Sequence, residues 1–236
     1  MNFIIKIIDY LYQRKKYAFI KSKIKHIDIF FDIGAHHGET IEDFLKNFHI
    51  KNIYGFEPSV DNFKKLKKNV DKIKKKYLSV KIDIVPYGLG KKNEILSLNE
   101  ISDGESNTFN EINVQSNYFK KKKIITTMFG IKNFFKDKVP SKIITLEDFM
   151  LEKKITNIDF IKIDTEGYEY NTLLGLGDYI RKVKFILFEH HYDNMIIKNY
   201  KFKDIHKLLI DNGFIKIFKT KMPLRKSFDY IYQNKN

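Results

Sequence analysis

Four carboxylates stand where short apolar segments end, and their positions make them candidates for chemistry. Asp32, Glu57, Asp164 and Glu189 follow the segments 27–31, 52–56, 158–163 and 183–188. The packing of a hydrophobic core does not require a carboxylate at four such points. A carboxylate there can bind the hydroxyl or amino groups of a ligand, or accept a proton from a reacting group.

The segment 31–40, Phe-Asp-Ile-Gly-Ala-His-His-Gly-Glu-Thr, indicates a ligand-binding turn between a strand and a helix. Gly34 permits a tight turn, and Gly38 falls where the helix begins, so that N–H groups can attract a carboxylate or phosphate. Glu57, at the end of the next strand, is placed to accept hydrogen bonds from the ribose hydroxyls of an adenosine. The alternative for Glu57 is a structural carboxylate at the start of the helix that begins at Ser59.

The spacing of the two glycines favours S-adenosylmethionine over a dinucleotide. The dinucleotide fingerprint is Gly-x-Gly-x-x-Gly, whereas this turn carries Gly-x-x-x-Gly. Asp32 would repel a pyrophosphate but can pair with the amino group of a methionine moiety, whose carboxylate suits the helix N-terminus. We therefore expect S-adenosylmethionine as the cofactor, with NAD as the alternative.

The segment 164–169 brings three carboxylates close together, Asp164, Glu166 and Glu169. Methyl transfer to an alcohol requires alignment of the hydroxyl and a group that accepts its proton. Asp164, at the exit of a strand, and Glu166 are the predicted catalytic residues. Glu166 and Glu169 can alternatively stabilise the positive end of the following helix.

A second group, Glu189-His190-His191, follows the next predicted strand. Imidazole titrates near neutral pH, so either histidine could act as the base, and His190 is the predicted one. Together with Asp164 and Glu166, Glu189 and His190 could also hold a divalent metal through hard oxygen ligands and one nitrogen. Ordinary polar loop residues are the alternative, and a metal is not favoured.

The elements that must position these residues are predicted by hydrophobic periodicity. Short apolar segments alternate with amphipathic helices, which predicts βαβ units and a mostly parallel sheet covered on both faces. Ligands bind such sheets beyond the carboxyl ends of the strands, where the carboxylates lie. We expect one α/β domain over residues 27–236 that closes with a hairpin of segments 214–218 and 228–232.

The polar segment 91–145 breaks this alternation. It is rich in Asn and Ser and contains a run of four lysines. We predict an insertion within the domain, with short strands near 95–98 and 124–129.

The first 26 residues predict a basic helical extension, with apolar residues at helical spacing among lysines and an arginine. Such a helix can cap the domain, or it can lie on an anionic membrane surface. We favour the capping helix and keep peripheral membrane contact as the alternative.

The composition excludes several classes of protein. Cys is absent from the 236 residues, which excludes a disulfide framework and thiolate metal ligation. Lys and Arg number 44 against 29 Asp and Glu, but only three are Arg, the residue best suited to reading bases and clamping phosphates, so nucleic-acid binding is not favoured. No apolar run approaches the roughly 20 residues of a membrane span, and no secretory pattern begins the sequence. We expect a cytoplasmic protein, with its oligomeric state left open.

Four motifs together resemble those of a known family. They are segment 31–40, segment 54–58 (Tyr-Gly-Phe-Glu-Pro), segment 144–149 (Ile-Thr-Leu-Glu-Asp-Phe) and segment 158–169 (Ile-Asp-Phe-Ile-Lys-Ile-Asp-Thr-Glu-Gly-Tyr-Glu). They resemble the FkbM family of S-adenosylmethionine-dependent methyltransferases, over about residues 27–190. The resemblance implies a class I methyltransferase fold, which is Rossmann-like, with a seven-stranded sheet and a final antiparallel hairpin. It also implies O-methylation of hydroxyl groups, often on sugars or secondary metabolites.

Gly34, Gly38, Thr40 and Glu57 match the family's cofactor-binding pattern, whereas position 36, frequently Asn in the family, is His. The predicted cofactor-binding residues are Asp32, Gly34, Ala35, His36, Gly38, Thr40, Glu57 and Pro58. The predicted function is methyl transfer from S-adenosylmethionine to a hydroxyl of a carbohydrate, glycolipid precursor or secondary metabolite. The alternatives are an NAD-dependent sugar-modifying oxidoreductase and a basic nucleic-acid-binding module.

Overall fold

The computed structural model describes residues 2–102, 104, 106–128, 130, 134–223 and 225–235, and for residues 2–6 it describes the backbone alone. The strands are β1 (His26–Ile33), β2 (His49–Phe56), β3 (Lys81–Val85), β4 (Gly88–Leu89), β5 (Glu94–Ile101), β6 (Phe135–Ile144), β7 (Ile158–Ile163), β8 (Val183–His191), β9 (Phe214–Lys221) and β10 (Ser227–Asn234). The α-helices are α1 (Asn2–Lys23), α2 (Glu39–Asn47), α3 (Val60–Lys76), α4 (Asn117–Met128), α5 (Leu146–Lys153), α6 (Glu169–Leu174) and α7 (Phe202–Asp211), and a 3₁₀ helix spans Gly177–Lys182. None of the described helices has the length and apolar character needed to cross a bilayer.

In the described part of the chain, seven strands form the main sheet in the order β3-β2-β1-β7-β8-β10-β9. The first five in this order are parallel, and β10 pairs antiparallel with β8 and β9. The predicted parallel sheet and its final hairpin are therefore confirmed. The strand order reverses between β1 and β7, so a ligand is expected beyond the carboxyl ends of these two strands.

Helices cover both faces of this sheet because neighbouring strand residues point to opposite sides. Phe30 packs with residues of α1, α2 and α3 on one face. Phe31 packs with residues of α5 on the other face, in a core that also contains α6 and α7. Burying both faces accounts for the nearly continuous apolar segments of the parallel strands.

The helix after β2 begins and buries its face as its sequence predicts. Ser59 caps α3, since its side chain accepts a hydrogen bond from Asn62 N. Leu66, Val70 and Ile73 recur at helical spacing and are buried, while the lysines of α3 cover its other sides. The start of α3 is thereby fixed close to Glu57 at the end of β2.

The N-terminal helix α1 packs against the domain. Ile20 is buried in the same core as α2 and α3. The ring of Tyr17 lies edge-on to Phe44 of α2, with 5.6 Å between ring centroids. Contact of α1 with a membrane stays a prediction.

The segment 91–145 contains most of a second sheet, with the described strands in the order β4-β6-β5. The strand predicted near 95–98 is confirmed within β5, but the strand predicted at 124–129 is wrong. Residues 117–128 form α4, and residue 129 lies outside the described residues. The Ile-Ile-Thr-Thr run favours a strand locally, but Phe119 anchors the helix in a small core with Phe134 and Met195. Tertiary packing overrides local propensity here.

Candidate active site

The turn after β1 is held by backbone contacts that require glycine at position 34. Gly34 has a φ of +77°, and a Cβ there would lie 1.8 Å from the carbonyl oxygen of Asp164. The N–H groups of Gly34 and Ala35 both donate to the carbonyl of Phe56, at 3.0 and 2.9 Å. Asp164 N donates to the carbonyl of Ile33 at 2.9 Å. The turn is therefore locked between the ends of β2 and β7.

The helix that follows this turn starts without a side-chain cap. Gly38 is the N-cap of α2, with a φ of +92°, and it has no side chain to cap the helix. The Glu39 carboxylate lies at this start and accepts a hydrogen bond from His37 N at 3.2 Å. A Cβ on Gly38 would lie 3.0 Å from Leu66 of α3, so glycine also permits the close packing of the two helices. The first turn of an uncapped helix can bind an anionic group.

Glu57 is a buried carboxylate at the end of β2, with only 5% of its surface exposed. Its Oε2 accepts a hydrogen bond from His36 N at 2.9 Å, and its Oε1 accepts one from Ser59 N at 3.0 Å. Burial raises the pKa of Glu57 to about 7. Each carboxylate oxygen has a second lone pair, so Glu57 can both hold the start of α3 and accept a hydroxyl from a ligand.

A cavity of about 280 Å³ opens at the carboxyl ends of these strands, and we call it the cofactor cavity. Among the residues that line it are Gly34, Ala35, His36, Thr40, Glu57, Pro58, Asp164 and Glu166. The structure therefore brings most of the predicted cofactor-binding residues together with two predicted catalytic carboxylates. Leu89, Leu98 and Phe109 give the same cavity an apolar wall.

The two carboxylates differ in charge state. Burial alone would raise the pKa of Asp164. The nearby cations Lys162 and His191 outweigh this effect, so the pKa of Asp164 lies below its usual range. Burial raises the pKa of Glu166 to about 7, although its Oε2 lies 3.5 Å from His191 Nε2. At neutral pH Asp164 is therefore ionised, whereas Glu166 lies near its titration midpoint.

Residues 32–216 match the family described as the Methyltransferase FkbM domain. The chain belongs to the FkbM methyltransferase family. No curated protein sequence matches the chain.

Solved structures similar to this chain share its Rossmann-like fold at low sequence identity. An FkbM methyltransferase from Methylobacillus flagellatus is 13% identical, with a TM-score of 0.60 over 89% of this chain and 44% of the other. The chain thus spans less than half the length of that protein. TrmK from M. capricolum, in complex with S-adenosyl-homocysteine, is 12% identical, with a TM-score of 0.51 over 94% of this chain and 68% of the other. An rRNA methylase from Streptococcus thermophilus is 8% identical, with a TM-score of 0.50 over 93% and 94%.

Two of the predicted cofactor-binding residues, Gly38 and Asp32, lie outside the cavity lining. Gly38 lies behind it, at the contact of α2 with α3. Asp32 is fully buried, and Lys162 Nζ lies 3.3 Å from its Oδ1. Burial raises the pKa of Asp32 to about 6. The expected pairing of Asp32 with a cofactor amine is therefore corrected, because a protein lysine takes that place.

The predicted base His190 does not reach the cavity either. β8 continues to His191, so Glu189 and His191 point to one face of the sheet and His190 points to the other. The His190 ring packs against Tyr200 and Phe202, and burial lowers its pKa to about 3. His190 is thus an aromatic-core residue in this structure.

His191, on the opposite face from His190, lies among three carboxylates. Its Nε2 lies 3.3 Å from Glu189 and 3.5 Å from Glu166, and its Nδ1 lies 3.5 Å from Asp193. Burial would lower the pKa of His191, but these carboxylates raise it to about 10. His191 is therefore a cation that balances buried carboxylates.

The four residues considered as a metal site do not converge. His190 points away from Asp164, Glu166 and Glu189, as its packing shows. Among the described residues, the ligand atoms that lie within 4.8 Å of one another belong to His36, His37 and Glu39. Each of these two imidazoles lies 3.3 to 3.5 Å from the Glu39 carboxylate, which accounts for the grouping without an ion.

Three further residues belong to the site but were not predicted from the sequence. Lys162 lies beside Asp164, with its Nζ 3.6 Å from Oδ2, and Arg225 also lines the cofactor cavity. Tyr168 closes the cavity beyond Glu166. Lys162 could have been found, since it shares a strand face with Asp164 at a spacing of two. Tyr168 lies within segment 158–169 but had no role assigned to it, and Arg225 lies outside the four motifs.

The position of Glu169 favours a structural role over a catalytic one. It is fully buried, and its Oε1 accepts hydrogen bonds from Gly167 N at 2.9 Å and Thr165 N at 3.2 Å. Tyr200 donates to its other oxygen at 2.5 Å. Glu169 thus shapes the turn that carries Glu166 and does not line the cofactor cavity.

Proposed function

We propose that this FkbM methyltransferase uses S-adenosylmethionine to methylate a hydroxyl group of a carbohydrate, glycolipid precursor or secondary metabolite. The observation that carries the proposal is the cofactor cavity, where Gly34 and Glu57 line the same space as Asp164. A glycine turn and an acidic residue on the next strand are what an adenosine needs. The Gly-x-x-x-Gly spacing does not match the dinucleotide pattern, which disfavours NAD.

The residues of the cavity fit this cofactor. Glu57 has lone pairs left to accept the ribose hydroxyls, and Leu98 and Phe109 offer apolar surface to a purine. The uncapped start of α2 suits the carboxylate of the methionine moiety. The bound cofactor supplies a methyl group already activated by a sulfonium.

The protein's remaining task is to align the acceptor hydroxyl and take up its proton. Asp164 is the candidate for both, because it lines the cavity and is ionised at neutral pH. Lys162 Nζ contacts both Asp164 and Asp32, and it donates to the carbonyl of Gly34 at 3.1 Å. Lys162 therefore holds the carboxylate of Asp164 against the glycine turn.

Isothermal calorimetry with S-adenosyl-homocysteine, NAD and a short RNA tests the cofactor. Binding of S-adenosyl-homocysteine alone supports the proposal. Binding of NAD alone, or salt-sensitive binding of RNA without the nucleoside, contradicts it.

Mass spectrometry tests the acceptor. Candidate glycans and hydroxylated metabolites are incubated with the protein, with and without S-adenosylmethionine. A donor-dependent gain of one methylene unit on a hydroxyl oxygen supports O-methylation. A gain on a nitrogen of RNA would overturn the acceptor class while leaving the cofactor intact.

A further inference from the structure

A second cavity, of about 250 Å³, lies on the other side of Asp164, and we call it the helix cavity. Thr40, Lys162 and Asp164 line both this cavity and the cofactor cavity. Asp164 therefore stands at the junction of the two spaces. A molecule in the helix cavity would reach the same carboxylate that faces the cofactor.

Helix α1 forms one wall of the helix cavity. Asp9, Gln13 and Lys16 line it at helical spacing, so they share one face of α1. This face is anchored at its far end, where Tyr12 donates to Asp229 at 2.6 Å and Lys16 contacts the same carboxylate at 2.9 Å. The opposite wall comes from the ends of β7, β8 and β10.

The helix cavity is acidic although the chain carries a formal charge of +15. The carboxylates that line it are Asp9, Glu39, Asp43, Asp164, Glu189 and Asp229. Its two lysines already have partners, since Lys16 pairs with Asp229 and Lys162 pairs with Asp32 and Asp164. A negatively charged ligand would meet local repulsion here, whereas a cation would be attracted.

One of these carboxylates lacks a hydrogen bond in the described structure. Glu189 is 6% exposed, and its Oε1 accepts no hydrogen bond from any described residue. The nearest cation is His191, whose Nε2 lies 3.3 Å away. A buried acceptor without a hydrogen bond is costly, and Glu189 faces the helix cavity. Burial raises the pKa of Glu189 to about 8, and a cation bound in the cavity would favour its ionised form.

We propose that the helix cavity binds the methyl acceptor, and that this acceptor carries an ammonium group near the reacting hydroxyl, as an amino sugar does. The hydroxyl lies at Asp164, and the ammonium group is held by the carboxylates that line the cavity, Asp9 and Asp43 on the two helices together with Glu189. Helix α1 selects the acceptor, since Gln13 and Asp9 line the space it enters. This inference rests on the proposed function, because it assigns the acceptor of that reaction.

The experiment uses the full chain saturated with S-adenosyl-homocysteine. Saturation-transfer NMR measures the binding of D-glucosamine, D-glucose and D-glucuronate at neutral pH. We expect glucosamine to bind at least about tenfold more tightly than glucuronate, with glucose between them.

Two variants locate the binding. Gln13→Lys places a cation on the cavity face of α1 and is expected to weaken glucosamine binding about tenfold. Gln115→Lys is the matched control, because Gln115 is exposed and lines neither cavity. Both variants are expected to keep the affinity for S-adenosyl-homocysteine and the thermal midpoint of the parent.

Three results would overturn the inference: glucuronate binding as tightly as glucosamine, glucose binding as tightly as glucosamine, or equal effects of the two variants. Failure of all three sugars to bind a chain that still binds S-adenosyl-homocysteine also overturns it and leaves the proposed function standing. Failure to bind S-adenosyl-homocysteine is a failure of the proposed function itself. The two hypotheses are thus tested separately on one sample.

Discussion

The two cavities that meet at Asp164 are built in opposite ways. The cofactor cavity depends on backbone: a glycine turn locked to β2 and β7, beside a carboxylate fixed by two backbone N–H groups. The helix cavity depends on side chains from α1, α2, β7, β8 and β10, most of which are far apart in the sequence. The first can be recognised in a short motif, whereas the second exists only in the folded chain. Substitutions on α1 could therefore change the acceptor while the cofactor site stays the same.

Gly34→Ala is the substitution expected to disrupt the cofactor cavity most strongly. The new Cβ would clash with the Asp164 carbonyl at 1.8 Å, and a φ of +77° adds about 1–2 kcal/mol of strain. We expect loss of S-adenosyl-homocysteine binding in calorimetry and a large fall in the thermal midpoint.

Gly130→Ala is the matched control for this prediction. Gly130 has a φ of +89°, but a Cβ there would meet nothing within 4 Å. The Gly130→Ala variant should be destabilised only by the backbone strain at this position, and it should keep full cofactor affinity. Equal damage from the two substitutions would mean that contact with β7 does not hold the turn.

Asp164, one of the residues that line both cavities, should affect turnover most. Asp164→Asn removes the proposed proton acceptor, so we expect kcat to fall by about 10²- to 10⁴-fold. The affinity for S-adenosyl-homocysteine should change little, and Asp71→Asn, on the exposed side of α3, should change neither quantity. An equal loss of turnover and cofactor affinity would instead assign Asp164 to cofactor binding.

The titration of Glu57 gives a pH dependence that tests the cofactor cavity, because Glu57 lines this cavity and not the helix cavity. Burial raises its pKa to about 7, so the ionised form that accepts ribose hydroxyls is lost as the pH falls below 7. The affinity for S-adenosyl-homocysteine should then decrease by up to about tenfold per pH unit, as measured by calorimetry between pH 5 and 8.

Glu57→Gln should weaken cofactor binding by about 10- to 100-fold at pH 8 and flatten this pH dependence. Glu152→Gln is the control, because Glu152 is exposed on α5 and should leave both unchanged. A pH profile that survives in Glu57→Gln would assign the titration to another group.

The smallest effect is expected at the anchor of α1. Tyr12→Phe removes the hydrogen bond to Asp229, but Lys16 still pairs with that carboxylate. We expect a loss of about 1 kcal/mol in the free energy of unfolding, with weaker glucosamine binding and unchanged cofactor affinity. Tyr10→Phe is the control, since Tyr10 is 63% exposed on the same helix. Weaker cofactor binding in Tyr12→Phe would show that the two cavities are coupled.

The difference between the two cavities, one built from local segments and the other from distant ones, also explains how much of the structure the sequence could predict. The parallel sheet, the turn at Gly34 and the placement of Glu57 all followed from short segments with strong periodicity. They are local, and the carboxyl ends of parallel strands meet at one edge whatever the loops do. The placement of Asp32 did not follow, because its partner Lys162 comes from a strand that is distant in sequence.

The two adjacent histidines show where sequence reasoning ends. β8 runs three residues beyond the predicted strand 183–188, and this extension places His190 and His191 on opposite faces of the sheet. The pattern of β8 does not reveal this, because both faces of the strand are buried. Likewise, the apolar spacing of α1 predicted a helix but not the strand ends that it covers.

The hydrogen bond between Tyr12 and Asp229 joins residues that are 217 positions apart in the chain. During synthesis, the helix would leave the ribosome long before β10 exists to receive it. The glycine turn and the neighbouring strand β2, by contrast, come from one stretch of chain, residues 34–56. Closing so long a loop carries a large entropic cost and is slow. Helix α1 is thus expected to dock last, so that the helix cavity forms only after the sheet that carries the cofactor cavity.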